Sequence, residues 1–299
     1  MPDQKRLVVI TGPTASGKTS VSIELAKHFQ TEIISSDSRQ FFRGMDIGTA
    51  KPSKEELKTV KHNFIDSLEV TDKYNISQFE EDALYKLSTL FKSHDIVFMT
   101  GGSGLYVDAV CYGIDKLPDS SSDVREELNG IYLREGIESI QTILKQIDPE
   151  YYAKTDIRNP HRMMRAIEVT RISGQKYSSL RTGERKSRDF AITKIGILTD
   201  RDELYDRINA RVDLMMQQGL LDEVERLLPY RNEQSLQSVG YKELFSYFDK
   251  HLSLEQAVLL IKQNTRNYAK RQMTWLRKDK DVFWKYIEEI NPELIDNLN

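Results

Sequence analysis

Near the start of the chain, Gly12-Pro13-Thr14-Ala15-Ser16-Gly17-Lys18-Thr19 follows the spacing G-x-x-x-x-G-K-[ST]. Two glycines let a loop fold so that successive backbone N–H groups converge on one anion, and a helix opening at the loop's end adds partial positive charge. Lys18 then neutralises terminal phosphate oxygens, and the Thr19 hydroxyl is placed to hold Mg²⁺. Such a loop selects a diphosphate or triphosphate ligand and leaves the reaction open. Kinases and nucleotide hydrolases usually add an acid at the end of a second buried strand. Here the apolar run Ile96 to Thr100 continues into Gly101-Gly102-Ser103-Gly104, with no carboxylate. The nearest acid is Asp37, in Ser35-Ser36-Asp37-Ser38-Arg39-Gln40. A carboxylate there can take a proton from a substrate or bind a metal. It can equally serve as a helix cap or close an Asx turn.

These loops work together only if the strands before them end side by side. Leu7-Val8-Val9-Ile10 is a β-branched run closed by Gly12 and Pro13, so a buried strand is expected over Arg6 to Thr11 with a helix from Gly17 to about His28. Glu32 to Ser35, Asp95 to Thr100 and Ala191 to Leu198 are further strand-type runs. Strands separated by helical stretches imply a parallel sheet, in which strand carboxyl ends face a ligand crevice. From Ser121 to about Ser187 only helical patterns occur: one N-capped by Ser122, then Ile137 to Ile147, Pro160 to Ile172 and Lys176 to Thr182. The expected fold is therefore α/β: a P-loop NTPase-like core over 1–117 and 190–299, interrupted by an all-helical insertion over 118–189. After Asp200, helices are expected over Asp202 to Gln218, Leu220 to Leu228, Ser238 to Phe248 and Ser253 to Lys278.

The chain's 299 residues are 39% hydrophobic and 30% charged, enough for a large core and too apolar for a disordered chain. No apolar run approaches the ~20 residues of a membrane span, and the opening residues lack the apolar h-region of a secretory signal. With one cysteine, Cys111, a cytoplasmic location is expected. The five histidines lack cysteine partners at ligand spacing, so no zinc site is expected. The net charge of −3 conceals two basic islands. Residues 158–188 hold nine Lys/Arg against two Glu, and residues 262–280 hold seven against one Asp. Such islands on an acidic body suggest a localised polyanion footprint, although basic clusters are often solvated helix faces.

Several strings together resemble the tRNA dimethylallyltransferases (tRNA isopentenyltransferases) of bacterial type. They are Gly12 to Thr19; Asp37-Ser38 leading into Gly44-Met-Asp-Ile-Gly-Thr-Ala-Lys-Pro52; Gly101-Gly-Ser-Gly-Leu-Tyr106; Asn159 to Glu168; Val239-Gly-Tyr-Lys242; and Thr265 to Trp275. They cover nearly the whole chain in order. The resemblance implies transfer of a dimethylallyl group from its diphosphate to the exocyclic amine of the adenosine 3′ of the tRNA anticodon, with Mg²⁺ and no obligatory protein partner. It implies that the loop holds the donor's diphosphate, so that the ATP-binding look of the motif need not mean ATP is used. Asp37 resembles the general base, and Asp37, Ser38, Arg39 and Gln40 the segment that receives the flipped base. Ser103 stands where the family commonly has Thr. Lys18, Arg207 and Arg211 are candidates to oppose the charge of the departing diphosphate, with surface pairing of Glu203 and Arg207 as the alternative. RNA contact is implied for Ser103 and for Arg125, His161, Arg162, Met163, Met164 and Arg165 in the insertion. Lys242, Arg266 and Lys270 join them from the C-terminal helices. Trp275 either packs in the core or stacks on bases.

Two other readings remain open at this level. A P-loop kinase of a nucleoside or small metabolite explains residues 12–19 and an insertion acting as a lid, but leaves residues 44–52 and the basic C-terminal helix without a purpose. An RNA-binding switch that uses nucleotide only for regulation would make Asp37 dispensable.

Overall fold

The strand built on Leu7-Val8-Val9-Ile10 lies among neighbours on both sides, and its continuous apolar run is what a parallel sheet covered on both faces requires. Leu7, Val8, Val9 and Ile10 have no exposed surface, and burying each such side chain stabilises the fold by about 1.5–3 kcal/mol. The structure is a computed structural model that describes residues 5–298; the reading of residues 1–4 falls outside it. All strand pairings are parallel. The strands are β1 (Arg6–Thr11), β2 (Ile33–Ser35), β3 (His62–Asn63), β4 (Ile96–Gly101), β5 (Ala191–Leu198) and β6 (Val282–Tyr286), in the order β3-β2-β4-β1-β5-β6. The four strands expected from sequence are present. The two edge strands β3 and β6 were not read, because one has only two residues and the other is half exposed with little apolar periodicity.

The helices before the insertion are α1 (Lys18–His28), α2 (Lys54–Thr59), α3 (Ile76–Leu90) and α4 (Gly104–Tyr112). Those between β4 and β5 continue with α5 (Ser122–Glu135), α6 (Ile137–Ile147), α7 (Pro149–Lys154), α8 (Pro160–Ser173) and α9 (Tyr177–Leu180). Then come α10 (Arg201–Gln217), α11 (Leu220–Leu227), α12 (Tyr241–Phe248), α13 (Leu254–Leu276) and, after β6, α14 (Pro292–Asn297). Among the described residues no helix is long and apolar enough to cross a membrane.

The chain divides into two compact units, a helical one over Tyr112–Ser187 and an α/β one comprising the residues up to Cys111 and from Arg188 onward. The helical unit has its own core, in which Leu128, Ile140, Leu144, Met163 and Ile167 are fully buried. Its first helix is capped by Ser121, whose side chain accepts the Val124 N–H, and not by Ser122 as the sequence suggested.

What the α/β unit positions follows from strand order. The chain leaves β1 through α1 and returns on the far side of β4, so the ends of β2, β4 and β1 lie next to one another. Ser36 N–H and Oγ both donate to the Thr100 carbonyl, at 2.8 and 3.2 Å, which ties the end of β2 to the end of β4.

Candidate active site

The loop between β1 and α1 has the backbone its glycines permit. Gly17, the N-cap of α1, has φ +90°, and Ala15 has φ +66°. Ala15 is a non-glycine residue in the left-handed region, a conformation that persists only where surroundings enforce it. Lys18 folds back so that Nζ donates to the Pro13 carbonyl at 2.7 Å. Burial, reinforced by the facing Arg211 and opposed by Asp37, lowers the Lys18 pKa to about 8. Arg211 reaches the loop from α10, with Nη1 3.4 Å from Thr14 Oγ1. Lys18, Thr19, Arg211, Asp46 and Asp66 line one cleft of about 480 Å³, with Leu214 and Met215 as an apolar wall. Thus two cations and a helix N-terminus converge where an anion is expected.

Asp37 lies at the neighbouring strand end. Its Oδ1 accepts the Arg39 N–H at 3.0 Å, an Asx turn, so the structural role weighed from the sequence is present. That role does not exhaust the carboxylate. Burial raises its pKa, while the Arg39 N–H, the Lys18 charge and the Arg39 charge oppose the rise. Ser38 N–H donates to Ser103 Oγ at 3.3 Å, and the two hydroxyls lie 3.2 Å apart. The strand ends thus bring Asp37, Ser38 and Ser103 together beside the phosphate loop. Arg39 and Gln40 are committed to the protein: Arg39 donates to the Gln234 and Ser235 carbonyls, and Gln40 to those of Thr49 and Ala50. Beneath this segment Phe41, 1% exposed, stacks on Phe79 with ring centroids 5.2 Å apart.

Residues 44–52 owe their character to a lock. The Glu223 carboxylate, 2% exposed, accepts the N–H groups of Asp46, Ile47 and Gly48 at 3.0, 2.7 and 3.0 Å. Tyr241 Oη donates to the same carboxylate at 2.7 Å, and a Cβ at Gly48 would lie 2.7 Å from its ring. The strings 44–52 and 239–242 are therefore halves of one contact. Lys51, with a nearly buried side chain, pairs with Asp46 and Asp66 and holds the same wall of the cleft.

Three further residues complete the site. Gln272 of α13, 6% exposed, joins the phosphate loop to the loop after β4. Tyr268, one turn earlier, hydrogen-bonds with Ser103; burial, with Asp37 nearby, pushes its pKa up to about 12. Glu223 is the third. A signal for two of them was available: on α13 the buried positions Ala257, Ile261, Ala269, Gln272 and Leu276 form one stripe, and on α11 Leu220, Glu223, Val224 and Leu227 do the same. A polar residue on an apolar stripe needs a partner.

The expectations for Arg207, Met163 and Met164 are corrected, while the other candidates are either paired within the protein or exposed. Arg207 turns away from the loop and donates to Glu203 at 2.6 Å on an exposed helix face, so Arg211 alone of that pair faces the loop. Met163 and Met164 are buried in the helical core and do not present their side chains to RNA. Arg165 and Arg125 both pair with the fully buried Glu168, and Arg165 also donates to the Pro118 carbonyl. Arg266 donates to Asn209 Oδ1 at 2.5 Å. His161, Arg162, Lys242 and Lys270 are exposed. Trp275 is 39% exposed rather than core; its indole lies over Gly104 and donates to Asp108 at 2.9 Å.

The IPP transferase family profile matches residues 40–279. A tRNA dimethylallyltransferase 1 of Phocaeicola vulgatus is 47% identical over 284 residues, 95% of this chain and 94% of its own length. The tRNA dimethylallyltransferase of Christiangramia forsetii is 47% identical over 98% of this chain and 97% of its own. Among solved structures, a tRNA isopentenylpyrophosphate transferase from Bacillus halodurans has a TM-score of 0.69 at 36% identity, covering 98% of this chain and 95% of that one. A eukaryotic dimethylallyltransferase acting on tRNA has a TM-score of 0.77 at 25% identity, covering 94% of this chain and 73% of that one. With the P-loop core, the crevice and the matching strings in one chain, this protein belongs to the IPP transferase family, the tRNA dimethylallyltransferases.

Proposed function

We propose that this enzyme transfers a dimethylallyl group from dimethylallyl diphosphate to the exocyclic amine of the adenosine 3′ of the anticodon in tRNA. The observation that carries this reading is the convergence of Lys18 and Arg211 with Asp37 at adjacent strand ends. The amine nitrogen forms a bond to the allylic carbon as the carbon–oxygen bond breaks, and diphosphate leaves with the electron pair. An aromatic amine is a weak nucleophile, so Asp37 takes its proton as the bond forms. Charge grows on the departing diphosphate, and Lys18 and Arg211, which line the same cleft, oppose that charge once Lys18 turns from the Pro13 carbonyl to the leaving group, which favours the transition state over the ground state. The loop is thus a diphosphate cradle, and the missing acid after β4 costs this reaction nothing.

Mg²⁺ fits the residues present. Among the described residues no cluster of three or more His, Cys, Asp or Glu side chains stands ready to hold a metal by itself. Mg²⁺ typically takes one or two protein ligands and completes its shell with phosphate oxygens and water. Thr19, lining the cleft, is the protein hydroxyl that would hold it. Bound there, the ion would offset charge on the leaving diphosphate.

The target base must leave its stack, at a cost of a few kcal/mol (approximately), which contacts elsewhere on the RNA offset. In this reading Ser38 and Ser103 meet the extruded adenine. His161 and Arg162 at the start of α8, Lys242 on α12 and Lys270 on α13 grip the anticodon stem-loop. Family membership favours this function over the kinase reading, which leaves residues 44–52 and the basic C-terminal helix without a purpose. The test is transfer of label from radiolabelled dimethylallyl diphosphate to an anticodon stem-loop, with Mg²⁺ and without ATP. Label in the RNA is expected; a folded protein that leaves unmodified RNA unlabelled would overturn the reading.

A further inference from the structure

We infer that Gln272 is a positioning residue for the diphosphate cradle. Its Oε1 accepts the Thr14 N–H at 2.8 Å and its Nε2 donates to the Gly102 carbonyl at 2.8 Å. The side chain is 6% exposed and stands on the inward stripe of α13. One amide thus spans the phosphate loop and the loop after β4, and each half of it faces the complementary backbone group. Gly102 makes the approach possible: a Cβ there would lie 2.1 Å from Nε2.

Chemistry restricts what can stand at this position. The side chain must accept at one end and donate at the other, and it must reach both loops from the helix. A glutamate accepts from Thr14 but, ionised, repels the Gly102 carbonyl and brings negative charge toward the diphosphate. A leucine satisfies neither group and leaves the half-buried Thr14 N–H and the buried Gly102 C=O without this partner. Thr14 is held from its side chain by Arg211 as well, so the two contacts fix one residue of the cradle from two helices, α10 and α13. Freed of Gln272, the loop has no side-chain partner for the Thr14 N–H, and the strained turn at Ala15 loses a support. Gln272 itself touches no reacting atom; it acts through the loop.

The inference rests on residues 12–19 being the diphosphate cradle, and the experiment separates the two. Affinity for inorganic diphosphate with Mg²⁺ is measured by calorimetry on the whole chain, alongside affinity for an unmodified anticodon stem-loop and the KM for dimethylallyl diphosphate. Gln272→Leu is expected to weaken diphosphate binding and raise the donor KM about tenfold, with RNA affinity within about twofold of wild type. Gln272→Glu keeps the shape and covers the case in which the leucine variant does not fold. Its deficit relative to wild type should shrink from about pH 8 to about pH 5.5, because the protonated carboxyl regains a donor for Gly102. Unchanged diphosphate affinity in folded Gln272→Leu would overturn the inference. So would a Gln272→Glu deficit that does not vary with pH, or equal losses of RNA and diphosphate affinity. Wild-type protein that fails to bind diphosphate would overturn the cradle reading itself, and the role of Gln272 with it.

Discussion

The donor crevice of the α/β unit and the basic start of α8 in the helical unit are built on opposite principles. In the crevice several polar groups are already engaged within the protein: Gln272 with Thr14 and Gly102, Glu223 with three backbone N–H groups, Lys18 with Pro13. At the start of α8, His161 and Arg162 stand exposed at the first turn, while Arg165 one turn on and the half-exposed Arg125 pair with the buried Glu168. Small, highly charged groups are stabilised best by donors fixed in advance, since reorganising dipoles costs energy during reaction. A long RNA stem is held by many weak, screened contacts that need no such fixing. If this contrast is right, substitutions in the crevice act on turnover in large steps, and substitutions on the basic face act on affinity in small ones.

The largest step is expected at Asp37. Asp37→Asn retains an oxygen to accept the Arg39 N–H, so the Asx turn survives and only the basicity is lost. Turnover should fall about 10³-fold with RNA affinity unchanged, as single-turnover transfer and a binding titration would show. Full activity in this variant would end the general-base assignment. Lys18→Ala comes next, with a loss of about 10²-fold in kcat/KM for the donor.

The same two residues fix the pH profile. Asp37 works deprotonated and its pKa is raised by burial, so activity should climb with pH along a limb above the ordinary carboxylate range. Lys18 works charged and its pKa is lowered to about 8, so kcat/KM should fall as pH rises through about 8. A profile flat from neutrality to pH 10 (approximately) would show that Lys18 keeps its proton in the free enzyme.

The same contrast governs how far the sequence could be read. β1, β2, β4 and β5 were legible because buried parallel strands are continuous apolar runs, and the phosphate loop because its spacing follows from the backbone it needs. β3 and β6 were not, because edge strands bury too little to leave a pattern. Glu223 and Gln272 were hidden by their ordinary residue types; only their place on apolar helix stripes marks them. Arg207 and Arg211 show the limit of spacing arguments. One turn apart on the same helix, one pairs with Glu203 and the other faces the loop, and nothing in the residue type separates them. Met163 and Met164 were misplaced for the converse reason: a string shared with a family says that residues matter, and these two matter to the core.

A smaller effect is expected at the lock on residues 44–52. Tyr241→Phe removes the hydroxyl that donates to the buried Glu223 carboxylate and leaves the ring on Gly48, so it should cost about 1–2 kcal/mol in denaturant unfolding. The donor KM should rise only modestly, because the three backbone N–H groups still hold the carboxylate.

The smallest change is expected on the basic face, and it is the one that tests the other half of the contrast. Arg162 is exposed, and its backbone N–H rather than its guanidinium is what the Asn159 cap uses. Arg162→Ala should therefore leave the helical unit folded and turnover at saturating RNA unchanged. What it should lose is one phosphate contact: RNA affinity falls a few-fold (approximately), and the slope of log affinity against log salt drops by about one. A loss of affinity with an unchanged slope would mean that Arg162 reads a base or supports the fold. A loss of turnover at saturating RNA would mean that the basic face takes part in positioning the adenine, and the division of labour between the two regions would have to be redrawn.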